Sequence, residues 1–223
     1  MMGRSQTHSG SREAPHAMNS SLFIPRTLVA CLAVLSATSA TASDYRFDTV
    51  HTQIFFCASH MGFSRPCGRM HVKSGYFIFD DDDWSKAKVD VVIDVTSLDM
   101  GDRRWNDTLR SWQFLDTGEY PTARFVSTHV EKTSDHRGVI HGELTLHGVT
   151  RALDLSVKFN RVGPDPYTFL YTVGFSANAK FRRSDFGMKK YLPDTVGNEV
   201  SINVQVEGLR DGDARSKAKG RPD

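Results

Sequence analysis

Nine histidines, 26 acidic residues and three cysteines are the groups with which this 223-residue chain could do chemistry, and their spacing limits which chemistry is open. His51, His60, His71 and His141 stand singly on segments that alternate apolar and polar residues, while His8, His16, His136 and His147 fall in loops or near the N-terminus. A metal centre needs three or four converging ligands with supporting hydrogen bonds. This pattern offers none, so no metal and no cofactor is expected. His141-Gly142-Glu143 matches the H-x-E half of a zinc deaminase signature but lacks the P-C-x-x-C that completes it. Asp80 to Asp83 is an unbroken acidic run; a calcium loop alternates its ligands and bends at a glycine, so the run reads as a solvated turn. G-x-S-x-G, Walker and G-x-G-x-x-G templates are all missing. The residues point away from catalysis.

Charge and cysteine spacing narrow the field further. A net charge of +2 with no basic block argues against a nucleic-acid partner. The cysteines have no C-x-x-C spacing, which removes zinc-ribbon and thioredoxin-like motifs, and no apolar run reaches membrane-spanning length, so no stable membrane insertion is expected.

The N-terminus reads as an export signal. Leu28 to Leu35 is an apolar core placed after Arg26, and Ala40-Thr41-Ala42 supplies the small residues of a signal-peptidase site, so residues 1–42 form the leader, with Met18 an alternative start. A lipobox ending at Cys31 is the competing reading, but most of the apolar core follows that cysteine instead of preceding it. Cleavage removes Arg4, Arg12, Arg26 and Glu13 and leaves a formally neutral chain. Export, with a periplasmic location, sets an oxidising environment, in which Cys57 and Cys67 form either a disulfide or two free thiols.

The elements that must position these residues are strands. Ile54, Phe56 and Ala58 alternate with Phe55, Cys57 and Ser59, and the same period of two runs through Val89–Thr96, Leu153–Phe159 and Val200–Glu207. With Met70–Asp80, Thr122–Glu131, Val139–Leu146 and Tyr167–Lys180 this makes about eight strands, and His147-Gly148 is a two-residue hairpin link. Arg103–Leu115 carries Trp105, Leu109 and Trp112 at helical spacing and predicts one short helix. The chain is all-β over 43–210, antiparallel, and fits a closed barrel or a two-sheet sandwich. Residues 211–223 form a polar tail read as disordered.

Taken in order, these segments resemble the YceI-like family of exported polyisoprenoid-binding proteins with a lipocalin-like barrel. Tyr45-Arg46-Phe47-Asp48 with His51, Phe56 and His60 resembles the family's opening strand, and Gly68-Arg69 through Gly75 to Phe79-Asp80 its second. Val91–Val95 with Ser97-Leu98-Asp99, Leu109-Arg110-Ser111 with Phe114, Tyr120-Pro121 with Phe125 and Ser127, Leu144–Thr150, and Arg183-Ser184-Asp185-Phe186-Gly187 resemble the later signatures. Thr108 and Gln113 depart from the histidine and acidic residue common in the family, which puts polar contacts near the helix in doubt.

The resemblance implies an eight-stranded barrel holding an apolar chain. Phe56, Ala58, Val91, Ile93, Phe125, Leu155, Phe175 and Val204 would line the lumen; periodicity alone leaves open whether they enclose a ligand or fill each other's space. His60, Arg110, Arg183 and Asp185 are candidates for a head group, because arginine offers a planar fork to phosphate or carboxylate oxygens. Such residues more often cap turns or pair with each other, and Arg183 and Asp185 read also as a structural ion pair across a bend. The expected cargo is an isoprenoid, an isoprenoid quinone or a fatty-acyl amphiphile. The alternative is a structural or stress-response protein with a filled barrel, and a homodimer would use the faces of Trp105 or Trp112.

Overall fold

The computed structural model describes residues 42–220; the leader and the lipobox alternative, up to residue 41, lie outside the described residues. Nine strands follow in order: β1 (Ser43–Phe47), β2 (Gln53–His60), β3 (Cys67–Phe79), β4 (Lys88–Asp99), β5 (Thr122–Ser134), β6 (Arg137–Leu146), β7 (Val149–Pro164), β8 (Tyr171–Arg182) and β9 (Val196–Arg210). All pairings are antiparallel and run β3-β2-β9-β8-β7-β6-β5-β4, with β4 returning to β3. The sheet is a closed barrel, not a sandwich.

The nine strands make a ring of eight staves, because β1 and β2 share one stave. β1 pairs with the far half of β3 (Ser43↔Phe79) and β2 with its near half (Cys57↔Cys67), and both also pair with β9. Closure leaves no unpaired edge on the ring. The period of two is realised most clearly on β7, where Leu153 and Val157 are buried while Asp154, Ser156 and Lys158 are exposed. At the β6–β7 link His147 and Gly148 both take positive φ, 51° and 71°, the turn that matches hairpin twist, and Leu146 faces Val149 across it.

Several sequence expectations are corrected. The helix α1 covers Arg103–Arg110 only. Asp102 caps its start by accepting from the Trp105 N–H, and Ser111 leaves helical geometry, its hydroxyl donating to the Thr108 carbonyl. The following turns bury Phe114 while Trp112 is left 69% exposed, so the apparent stripe is not a buried face. The strand expected over Tyr167–Lys180 begins at Tyr171, because Asp165 organises residues 165–170 as a turn by accepting from the Tyr167 and Thr168 N–H groups. The polar tail forms α2 (Ala214–Lys219), held by Arg215–Asp44 at 2.8 Å and Lys217–Asp211 at 2.9 Å, with Ala214 buried. Residues 221–223 lie outside the described residues. The acidic run is a turn, yet Asp80 is buried and sits 3.6 Å from the Lys86 ammonium. His141 is not isolated: its ring stacks on His129 at 4.1 Å on the outer wall and its Nδ1 lies 2.8 Å from Asp154.

Candidate functional site

The inward faces of the staves border two adjoining chambers. The inner, of about 140 Å3, is bounded by side chains such as Val91, Phe125, Leu155, Phe175 and Val204; the outer, of about 360 Å3, by Phe56, Ala58, Met70, Ala123, Phe181 and Val200 among others. Ile54, Ile93, Leu144 and Ile202 border both and form a waist contributed by β2, β4, β6 and β9. The eight residues read as lumen-facing therefore all face one chamber or the other, with Ile93 at the waist. The outer volume falls in the range of small-molecule sites and the inner below it.

The two ends of the barrel differ. Beyond the inner chamber the space is taken by aromatic rings: Tyr45 stacks on Phe77 at 5.2 Å, Phe175 meets Phe77 and Phe79 edge-on at 5.9 and 4.8 Å, and Trp84 meets Phe79 at 5.5 Å. These edge-to-face contacts make a packed floor. The local backbone is fitted to it, since the Phe77 ring occupies the space a Cβ on Gly208 would need. At the opposite end the outer chamber is bordered by Trp105 and Tyr191, which are 37% and 41% exposed, so the lumen reaches solvent between α1 and the β8–β9 loop. One end of the barrel is floored by its own aromatic rings, and the other is bordered by exposed side chains.

The four polar candidates do not converge. His60 lines the outer chamber near the mouth, its ring edge-on to Trp105 at 6.1 Å. Arg183 also borders the chamber but is buried, and its guanidinium donates to the carbonyls of Gly197 (3.0 Å), Met188 (2.8 Å), Lys190 (2.8 Å) and Val196 (2.8 Å). Burial lowers its pKa from the ordinary value. Arg183 thus clamps the β8–β9 loop. Asp185 is exposed and borders an outer-wall groove with Arg151, Lys180 and Arg182; among the described residues it makes no ion pair with Arg183. Arg110 turns back so that its guanidinium donates to the Leu98 carbonyl, outside the chamber lining.

Thr108, Tyr191 and Thr195, none of which the sequence marks as a polar contact, stand with His60 at the mouth. Tyr191 and Thr195 lie in a segment without periodicity and Thr108 on a helix whose spacing marks only its apolar residues, so only the approach of α1 to the β8–β9 loop reveals them; the Tyr191 hydroxyl donating to Gln113 at 3.3 Å and its ring stacking on Phe114 record that approach. No carboxylate borders either chamber among the described residues. On the outer face Cys57 and Cys67 are joined as a disulfide across the β2–β3 pair, Cα atoms 4.1 Å apart.

The model of the YceI-like domain matches residues 45–208, the whole barrel. A "UPF0312 protein" of Serratia proteamaculans is 38% identical over 185 residues, covering 82% of this chain and 95% of its own, and "Protein YceI" of Escherichia coli O157:H7 is 36% identical over 179 residues, covering 79% and 92%. Among solved structures, Burkholderia cenocepacia BcnA superposes with a TM-score of 0.62 at 22% identity, covering 72% of this chain and 98% of its own. A polyisoprenoid binding domain from Saccharophagus degradans gives 0.55 at 14% identity over 75% and 98%. These two share the fold. The family match spans the same staves, hairpin and helix from which the barrel is built, and the chain belongs to the YceI-like family.

Proposed function

We propose that the protein is an exported, periplasmic carrier that holds one long-chain amphiphile, an isoprenoid or isoprenoid quinone, with its tail in the lumen and its head group at the mouth. The observation that carries this reading is the open outer chamber of about 360 Å3, which shares four aliphatic lining residues with a second, smaller one. Two apolar chambers that adjoin within one barrel suit a chain better than a compact ligand. Each buried CH2 contributes about 0.8 kcal/mol, so ten contribute about 8 kcal/mol against an ordering cost of about 4–15 kcal/mol, and a longer tail binds tightly where a short one does not. His60, Thr108, Tyr191 and Thr195 would meet the head group. The ionisable side chains bordering the lumen are His60, Arg183 and Tyr191, a set without the paired acid and base that hydrolysis would need, which favours binding over catalysis. The Cys57–Cys67 disulfide suits an oxidising compartment, and the fold neighbour described as polyisoprenoid-binding supports the ligand class.

Native mass spectrometry of protein purified from its exporting host, with organic extraction of what dissociates, tests the reading. A stoichiometric prenyl or acyl species is expected. Absence of any bound species, together with failure to take up added quinone or prenyl lipid, would overturn it.

A further inference from the structure

The mouth of the lumen is framed by apolar side chains that face water. Phe63 is 90% exposed, Trp112 69% and Met61 52%, and Tyr191 and Trp105 are partly exposed beside them. They come from three separate segments at one end of the barrel: the β2–β3 hairpin, the α1 region and the β8–β9 loop. Large apolar groups gathered in this way mark an interaction surface. The cations beside them say which kind. Arg103, Arg104, Lys189 and Lys190 make no ion pair among the described residues, while Arg65 on the same rim is set against Glu199. The Lys190 ammonium lies 5.8 Å from the Trp112 ring centroid and 5.5 Å from that of Tyr191, so cation and aromatic groups share one surface. Acids lie in the same segments too: Asp102 is engaged in capping α1, Glu119 accepts from the Tyr120 hydroxyl, Asp116 is half-buried, and Asp107, Asp185 and Asp194 are exposed.

We propose that this rim docks on the surface of a bilayer containing anionic phospholipid, with Phe63, Trp112 and Met61 entering the headgroup boundary and Lys189, Lys190, Arg103 and Arg104 meeting phosphates. Aromatic rings with one apolar face and cations on flexible stems are the side chains that settle at that boundary. The inference rests on the carrier reading, because docking there sets the open chamber against the phase in which an apolar chain is soluble. A chain could then cross from bilayer to lumen without its tail entering water.

The test is co-sedimentation of the full chain, purified from its exporting host, with phosphatidylcholine vesicles with and without phosphatidylglycerol. No cargo is added, so a negative result here is distinct from a negative result in ligand extraction. Binding to the phosphatidylglycerol vesicles is expected, weakened about thirtyfold in Lys189→Ala/Lys190→Ala, since each cation near an anionic surface is worth roughly a fivefold change in partition. Phe63→Ser/Trp112→Ser should lose binding while keeping the wild-type urea midpoint, because both side chains are exposed. The fluorescence of the bound protein should shift to the blue through Trp105 and Trp112, Trp84 being buried. Three results overturn the proposal: no phosphatidylglycerol-dependent sedimentation, sedimentation indifferent to both variants, or light scattering that shows the rim residues instead holding a dimer together.

Discussion

Replacing Arg183 by methionine separates its two readings, a ligand for a head group and a clamp on the chain. Methionine keeps the length of the stem and removes the guanidinium, leaving the carbonyls of Met188, Lys190, Val196 and Gly197 without that donor. A hydrogen bond to a charged group contributes about 1.5–3 kcal/mol, so four independent bonds would account for about 6–12 kcal/mol, comparable with the whole stability of a domain. The loss will be smaller than that. The β8–β9 loop lies at the mouth, where water can reach freed carbonyls once it relaxes, and breaking buried charged contacts in other proteins costs about 3–5 kcal/mol. Urea unfolding should therefore show Arg183→Met destabilised by about 3–5 kcal/mol, with amide exchange faster from Met188 to Val196 than in the strands. Arg183→Lys should recover only part, as an ammonium cannot present a planar fork to carbonyls on two sides. A loss under about 1 kcal/mol with unchanged loop protection, accompanied by weaker lipid uptake, would refute the clamp and restore the head-group reading.

Other outcomes follow from the same geometry. Ala123→Phe projects a ring into the outer chamber from β5; because that space is open, stability should stay within about 1 kcal/mol of wild type instead of dropping by the 1–3 kcal/mol of an overpacked core, while bound lipid falls below detection in native mass spectra. Removing the Cys57–Cys67 link, which joins residues ten apart, as Cys57→Ala/Cys67→Ala should lower stability by about 2–3 kcal/mol in urea titrations, and an unchanged midpoint would show that the link does not constrain the unfolded chain. The His51 pKa is raised, first by its hydrogen bond to Asp48 and then by the charges of Asp48 and Glu207, whereas Asp48 is lowered overall although burial pushes it up, because His51 and the Val50 and His51 N–H groups hydrogen-bond its carboxylate. The raised histidine stabilises fully below its unfolded pKa, with the contribution lost as pH rises through the folded value; the lowered carboxylate stabilises above its unfolded pKa, with the contribution lost as pH falls through the folded one. Urea midpoints should thus decline on the alkaline side of the histidine range, and His51→Asn should flatten that decline; a variant with the wild-type slope there would contradict the pairing.

The strands were legible in the sequence because alternation and burial are the same fact seen twice. Leu153, Leu155, Val157 and Phe159 can all face a core only if the chain is extended, and once one stave has one wet face the others must share its inside. His147-Gly148 was legible for a local reason, since two residues with positive φ join antiparallel strands by the shortest route. The end of the helix was not legible: Trp105, Leu109 and Trp112 have helical spacing, but spacing does not say whether anything covers the stripe, and none of the residues of α1 is buried. The order of the tail was not legible because it comes from Asp44 and Asp211, and Asp44 lies at the other end of the barrel chain, where the composition of the tail says nothing of it.

What the sequence determined, then, is the period of each stave and so the membership of the inner wall: Phe56, Ala58, Val91, Ile93, Phe125, Leu155, Phe175 and Val204 all face a chamber. What only the tertiary structure decided is how that wall is used. Whether inward side chains fill the tube or leave it open depends on how rings from β1, β3, β7 and β8 meet across it, and they meet at the floor and part toward the mouth. Residue type likewise left Arg183 and Asp185 two roles each, as head-group ligand or structural ion pair. Only the folded chain brings four carbonyls within 3.0 Å of the Arg183 guanidinium and leaves Asp185 exposed on the outer wall, because a hydrogen bond depends on distances that local sequence does not set.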